Sequence, residues 1–131
     1  MKARSFLASV LMSLLFISLS FAQQPTTPQS LIGEWMVSAK HTSGATITTS
    51  IRLTQDSKFT ATTTVNEQPF MVASGTWSLS GSTLEWRYER SSQPGIQPGF
   101  VDIDEVLGAN ESELRLTSKR SGKTHLYKRV H

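Results

Sequence analysis

The side chains able to do acid–base, nucleophilic or metal chemistry are few, and their spacing does not bring them together. There are three histidines, His41, His125 and His131. No two sit at a ligand spacing such as H-x3-H. His41 falls in an expected turn and His131 is the last residue. His125 shares a strand face with Tyr127, so all three are expected at the surface or at a rim. Cysteine is absent, which excludes thiol nucleophiles, thiolate metal sites and disulfides. Ser and Thr are abundant, but no Gly-x-Ser-x-Gly elbow is present. Glu34 lies beside Trp35, where a carboxyl with a raised pKa would be of interest; strand alternation points it the other way, toward solvent. Asp102, Asp104, Glu105, Glu111 and Glu113 crowd one region without the spacing of a calcium loop. Lys119, Arg120, Lys123, Lys128 and Arg129 follow, so cross-strand charge pairing is the expected use of both sets. No catalytic residue, metal or cofactor is expected.

Non-covalent chemistry has better material. Trp35, Trp77, Trp86, Phe59, Tyr88 and Phe100 recur in phase with apolar strand faces. In a small barrel such rings either fill the interior or line a pocket with a few polar tips. Phe59, Trp77, Trp86 and Tyr88 are the candidate lining of such a pocket. A second candidate surface is the longest connection, Glu89 to Gly99. There Gln93-Pro94-Gly95 and Gln97-Pro98-Gly99 bracket Ile96, and Gln93, Ile96 and Gln97 would make the contacts. Long connections in compact domains often carry function.

These residues must be held by strands. From Leu31 onward the pattern has period two, rich in β-branched and aromatic residues. The expected strands are Ile32 to Lys40, a second with Ile47, Thr49, Ile51 and Leu53 on one face, and a third with Phe59, Ala61, Thr63 and Val65. A fourth runs from Phe70 to Leu79, with Gly75 marking a bulge or bend. Leu84, Trp86 and Tyr88 define a fifth. The sixth spans Phe100 to Leu107, the seventh holds Leu114 and Leu116, and the eighth spans Thr124 to Val130. Hairpin-length turns join most of them. The expectation is an all-β, eight-stranded antiparallel up-and-down barrel, since closure removes both exposed edges; an open sandwich is the rival.

Residues 1–22 read as a secretory signal peptide: Lys2 and Arg4, then an apolar run, then Ser20-Phe21-Ala22 as a cleavage site. The run is shorter than the roughly 20 residues that span a bilayer. Residues 23–30 read as a flexible, Pro-containing leader, and residues 31–131 as the domain. The expected product is an exported monomer, periplasmic or secreted, with no membrane span after cleavage. Losing Lys2 and Arg4 lowers the 13 basic residues to 11, against 10 acidic ones. The basic balance of the whole chain therefore says little about partners, and nucleic acid is excluded by the compartment.

Gly33-Glu34-Trp35 opens the first strand. Gly75-Thr76-Trp77-Ser78-Leu79-Ser80-Gly81-Ser82-Thr83-Leu84 forms a middle hairpin, and Tyr127-Lys128-Arg129-Val130 ends the last strand. Taken in order, these resemble the small bacterial lipocalin-like (calycin-type) domains over Leu31 to His131. The resemblance implies a barrel whose Trp35 plugs one end under a basic residue of the last strand, Arg129 or else Lys128. It also implies non-covalent binding of a small apolar or amphipathic molecule. The alternative is a protein-interaction module, such as an inhibitor of an envelope enzyme acting through residues 89–99.

Overall fold

The computed structural model describes residues 26–131. The expected signal peptide and the start of the leader lie outside the described residues. Eight antiparallel strands follow in order: β1 Gly33–Lys40, β2 Thr46–Leu53, β3 Lys58–Val65, β4 Gln68–Ser80, β5 Thr83–Ser91, β6 Val101–Ala109, β7 Glu113–Ser118 and β8 Thr124–Val130. Each pairs with the next, and β1 pairs with β8, so the sheet closes into an up-and-down barrel. This architecture is consistent with a lipocalin-like fold. Among the described residues no helix is long and apolar enough to cross a membrane.

Register fixes which residues point inward. Ile51 pairs with Ala61, Ala61 with Ala73, and Trp77 with Trp86. All five are buried. Three strands carry one extra residue, at Phe70, Glu89 and Leu107. Such bulges sharpen the bend of a strand and put the added side chain out of phase. That explains why Phe70 and Leu107 are exposed despite their size. Gly75 sits beside the second bulge. A β-carbon there would overlap the Arg87 carbonyl and press on the Phe59 ring, so the close approach of β4 to β5 requires glycine.

One end of the barrel is sealed. Thr27 caps a single helical turn, α1 (Pro28–Leu31), through a reciprocal pair of hydrogen bonds with Ser30. Leu31 is completely buried. The end of the expected flexible leader is thus a capped turn, because Thr27, Pro28 and Ser30 satisfy its backbone and Leu31 anchors it. Trp35 is also completely buried, and its indole N–H donates to the Leu31 carbonyl at 2.9 Å. The Arg129 guanidinium lies 4.1 Å from the indole centroid. It donates to the carbonyls of Glu111 (2.7 Å), Ile32 (2.7 Å) and Ser30 (3.1 Å). Gly33 has φ +135°, and a side chain there would strike that guanidinium. The opening motif and the last strand therefore meet as one plug. Lys128 points outward instead, to Glu113 at 2.8 Å.

The opposite end is less fully paired. β1 meets β8 through only Glu34, Trp35 and Met36. From Val37 to Lys40 it pairs with β2 alone, so the β1–β8 seam is unpaired beside Thr124–Tyr127.

The plug is testable by a double-mutant cycle in urea. Trp35→Ala should cost about 3–5 kcal/mol. Arg129→Ala should cost about 2–3 kcal/mol, since it removes charge-assisted hydrogen bonds as well as the stacked contact. Together they should cost roughly 1 kcal/mol less than the sum. Arg129→Lys should recover less than half of the loss, because an ammonium cannot fork across several carbonyls. Strict additivity would show that the two side chains do not act as a pair.

Candidate functional site

A cavity of about 190 Å³ lies inside the half of the barrel away from the plug. Its apolar wall is Ile51, Phe59, Ala61, Met71, Trp86 and Tyr88. The rings are locked edge to face. Phe59 stands 5.1 Å from Trp86 at 84° and 5.3 Å from Tyr88 at 77°. Tyr88 in turn meets Phe100 at 5.7 Å. Such pairs fix ring orientation beyond what burial alone would do.

The rest of the lining is polar: Thr49 of β2, Ser118 of β7, His125 and Tyr127 of β8, and Asp102 and Asp104 of β6, the strand next to the one that carries Trp86 and Tyr88. Asp104 pairs in register with Leu84, and Asp102 with Trp86. Both carboxylates therefore point inward, roughly 6–7 Å apart along the strand. The expectation of surface charge pairing fails for Asp104. It accepts a hydrogen bond from the Trp86 indole N–H at 2.8 Å. It holds for Asp102, which meets Arg120 at 3.5 Å. Arg120 also covers the Phe100 ring at 4.6 Å, so a cation already sits at the edge of this polar wall. His125 is exposed at the rim, as its spacing implied.

Burial sets the ionisation of the wall. It pushes the Asp104 carboxyl above the ordinary aspartate range; neighbouring Asp102 adds to this, while the Trp86 hydrogen bond and His125 oppose it. Burial also pushes the Tyr127 phenol up to about 12, with Asp104 adding to it. The Tyr88 phenol rises for the same reasons, burial first and then the two aspartates. Both phenols are therefore neutral hydrogen-bond donors at any physiological pH.

Three of the four expected lining residues, Phe59, Trp86 and Tyr88, line the cavity. Trp77 does not. Its ring runs toward the sealed end, where its N–H donates to the Thr54 carbonyl at 3.3 Å, and it belongs to the packed core. The 89–99 connection also differs from expectation. Glu89, Arg90 and Ser91 are strand, and the loop proper begins at Ser92. It is tied to β4: Ser92 N–H donates to the Val72 carbonyl at 2.9 Å, and the Gln93 amide to the Phe70 carbonyl at 3.0 Å. Gln97 bonds within the loop to Pro94, and Ile96 is half-buried. The loop ends on Phe100, against Tyr88, and none of residues 89–100 lines the cavity.

Sequence reasoning missed Asp102, Asp104, Ser118 and Tyr127 as lining residues. The available signal was phase: residues 102 and 104 alternate with Val101 and Ile103, and one of the two sets had to face inward. A larger, open depression of about 630 Å³ lies outside the barrel, around Leu107, Arg115 and Leu126. None of the clustered rings lines it.

With this geometry in place, comparison with protein-family models gives no match to the chain, and comparison with characterised proteins gives none either.

Two measurements check the ionisation of the wall. The folded Asp104 binds its proton more tightly than the unfolded chain does. Its cost to stability is therefore absent at low pH, grows as pH rises through the raised folded value, and is constant above it. Asp104→Asn should raise the melting temperature at pH 7 and leave it unchanged near pH 3. A lower melting temperature at pH 7 would mean that the ionised carboxylate is stabilising. The tyrosine sign is related: stability should fall by roughly 2 kcal/mol between pH 10 and pH 12, as the unfolded Tyr127 ionises and the folded one does not. Tyr127→Phe should flatten most of that alkaline limb.

Proposed function

We propose that this protein is an exported, lipocalin-like binding protein that takes up one small amphipathic molecule non-covalently. The observation that carries the reading is the cavity itself. The sealed half of the barrel is filled by Leu31, Trp35, Leu53, Trp77, Leu84 and Leu114, all buried. The other half holds a walled space instead of a continuation of that core. Interiors pack as densely as organic crystals, so a space with fixed aromatic and polar walls is costly unless it is used.

Its size bounds the ligand. Pockets for drug-sized molecules run to about 300–1,000 Å³, and 190 Å³ falls below that range. It corresponds to about six waters' share of liquid volume. A sterol or a long acyl chain would not fit within the walls. The route in would be the end away from the plug, where upper β1 and β8 are unpaired. The two phenols and two carboxylates would orient the guest. The function proposed is therefore binding, with these groups fixing the guest's orientation by hydrogen bonds and charge.

Native mass spectrometry of the protein purified from its own source tests this. Wild type should carry the added mass of one small molecule. Ala61→Leu, which fills the cavity from β3, should carry none while melting within a few degrees of wild type. Wild-type protein with no added mass, and no uptake of any of a panel of small aromatic molecules, would overturn the reading.

A further inference from the structure

The cavity's lining is part aromatic and part acidic, and the combination selects among ligands. We infer that the guest is a compact organic cation, its ammonium group held by Asp102 and Asp104 and its apolar body laid against Phe59, Trp86 and Tyr88. This rests on the binding reading above and deepens it.

The argument begins with charge. Two carboxylates and three aromatic rings line one space: Trp86 and Tyr88 stand on β5 beside the aspartates of β6, and Phe59 comes from β3. Arg120 is the guanidinium paired with Asp102, at 3.5 Å. Among the described residues the Asp104 carboxylate has one hydrogen-bond donor, the Trp86 indole, and no basic side chain forms a salt bridge with it. An anionic guest, such as a carboxylic acid, would add like charge in a poorly solvated space. A neutral guest with a hydroxyl can replace a hydrogen bond of the displaced water, but it brings no opposite charge to the carboxylate. A cation supplies that charge directly.

The rings favour the same ligand. A cation within about 6 Å of an aromatic face is attracted by the ring quadrupole, most strongly where water is excluded. The protein already shows this preference at the cavity's edge, where the Arg120 guanidinium lies over Phe100 and touches Asp102. A hard metal ion is a poorer fit. Calcium and magnesium require several converging oxygens. Among the described residues no three His, Cys, Asp or Glu side chains come together in that way. The remaining class is an organic ammonium with a small apolar body, sized to the 190 Å³ space.

Three probes of one shape test it by calorimetry at pH 7: phenethylamine, 2-phenylethanol and phenylacetate. Phenethylamine should bind at least tenfold more tightly than the alcohol, and phenylacetate should not bind measurably. Asp104→Asn should lower phenethylamine affinity about tenfold and leave the alcohol within twofold of its wild-type value. Equal binding of amine and alcohol, or preference for the acid, would overturn the charge selection while leaving a binding barrel in place. Failure of all three to bind wild type would overturn both readings. The wild-type comparison stands even if the variant does not fold.

Discussion

The Arg129 guanidinium is the interaction on which the barrel's integrity turns. It stacks on the one indole that is completely buried at the sealed end, and four backbone carbonyls accept its N–H groups. Those carbonyls come from α1 and the residue that follows it, just before β1, and from the β6–β7 turn. A single side chain thus ties both ends of the described chain to the middle of the sheet. Only a planar, multiply donating cation can do this. Gly33 is the corresponding concession in the backbone, since any larger residue would occupy the guanidinium's place.

Sealing one end so firmly allows the other to be different. The sealed half buries Leu31, Leu53, Leu84 and Leu114 almost without exposure. The other half is lined by Thr49, Ser118, Tyr127 and two aspartates. The burial that raises the Asp104 carboxyl is stability forgone in that half once the group ionises. Departures from an apolar interior commonly mark sites kept for function at some cost to the fold.

Much of this was legible in the residues. The alternation of Ile47, Thr49, Ile51 and Leu53 places β2, and the Gly33-Glu34-Trp35 opening with Arg129 near the end of β8 gives the plug. Three things were not legible, for physical reasons. In β6 the apolar residues Val101 and Ile103 face outward and the aspartates inward, so a rule that sends apolar residues inside selects the wrong face. Trp77 and Trp86 oppose each other in register, yet one ring runs to Thr54 and the other to Asp104. Period-two patterning assigns a face, whereas side-chain torsions decide how far along the barrel axis a ring reaches. Third, α1 is a single turn. It exists because Leu31 has a core to enter, which no local pattern reports.

The β1–β8 seam has a consequence for how the chain comes into being. Arg129 reaches the Ile32 carbonyl across 97 residues of sequence. During vectorial synthesis the indole of Trp35 therefore leaves the ribosome long before its lid exists. Every intermediate length of chain presents an unclosed sheet with two free edges. The barrel cannot lock strand by strand; it remains an unfinished ribbon until the eighth strand arrives, and then closes in one long-range step.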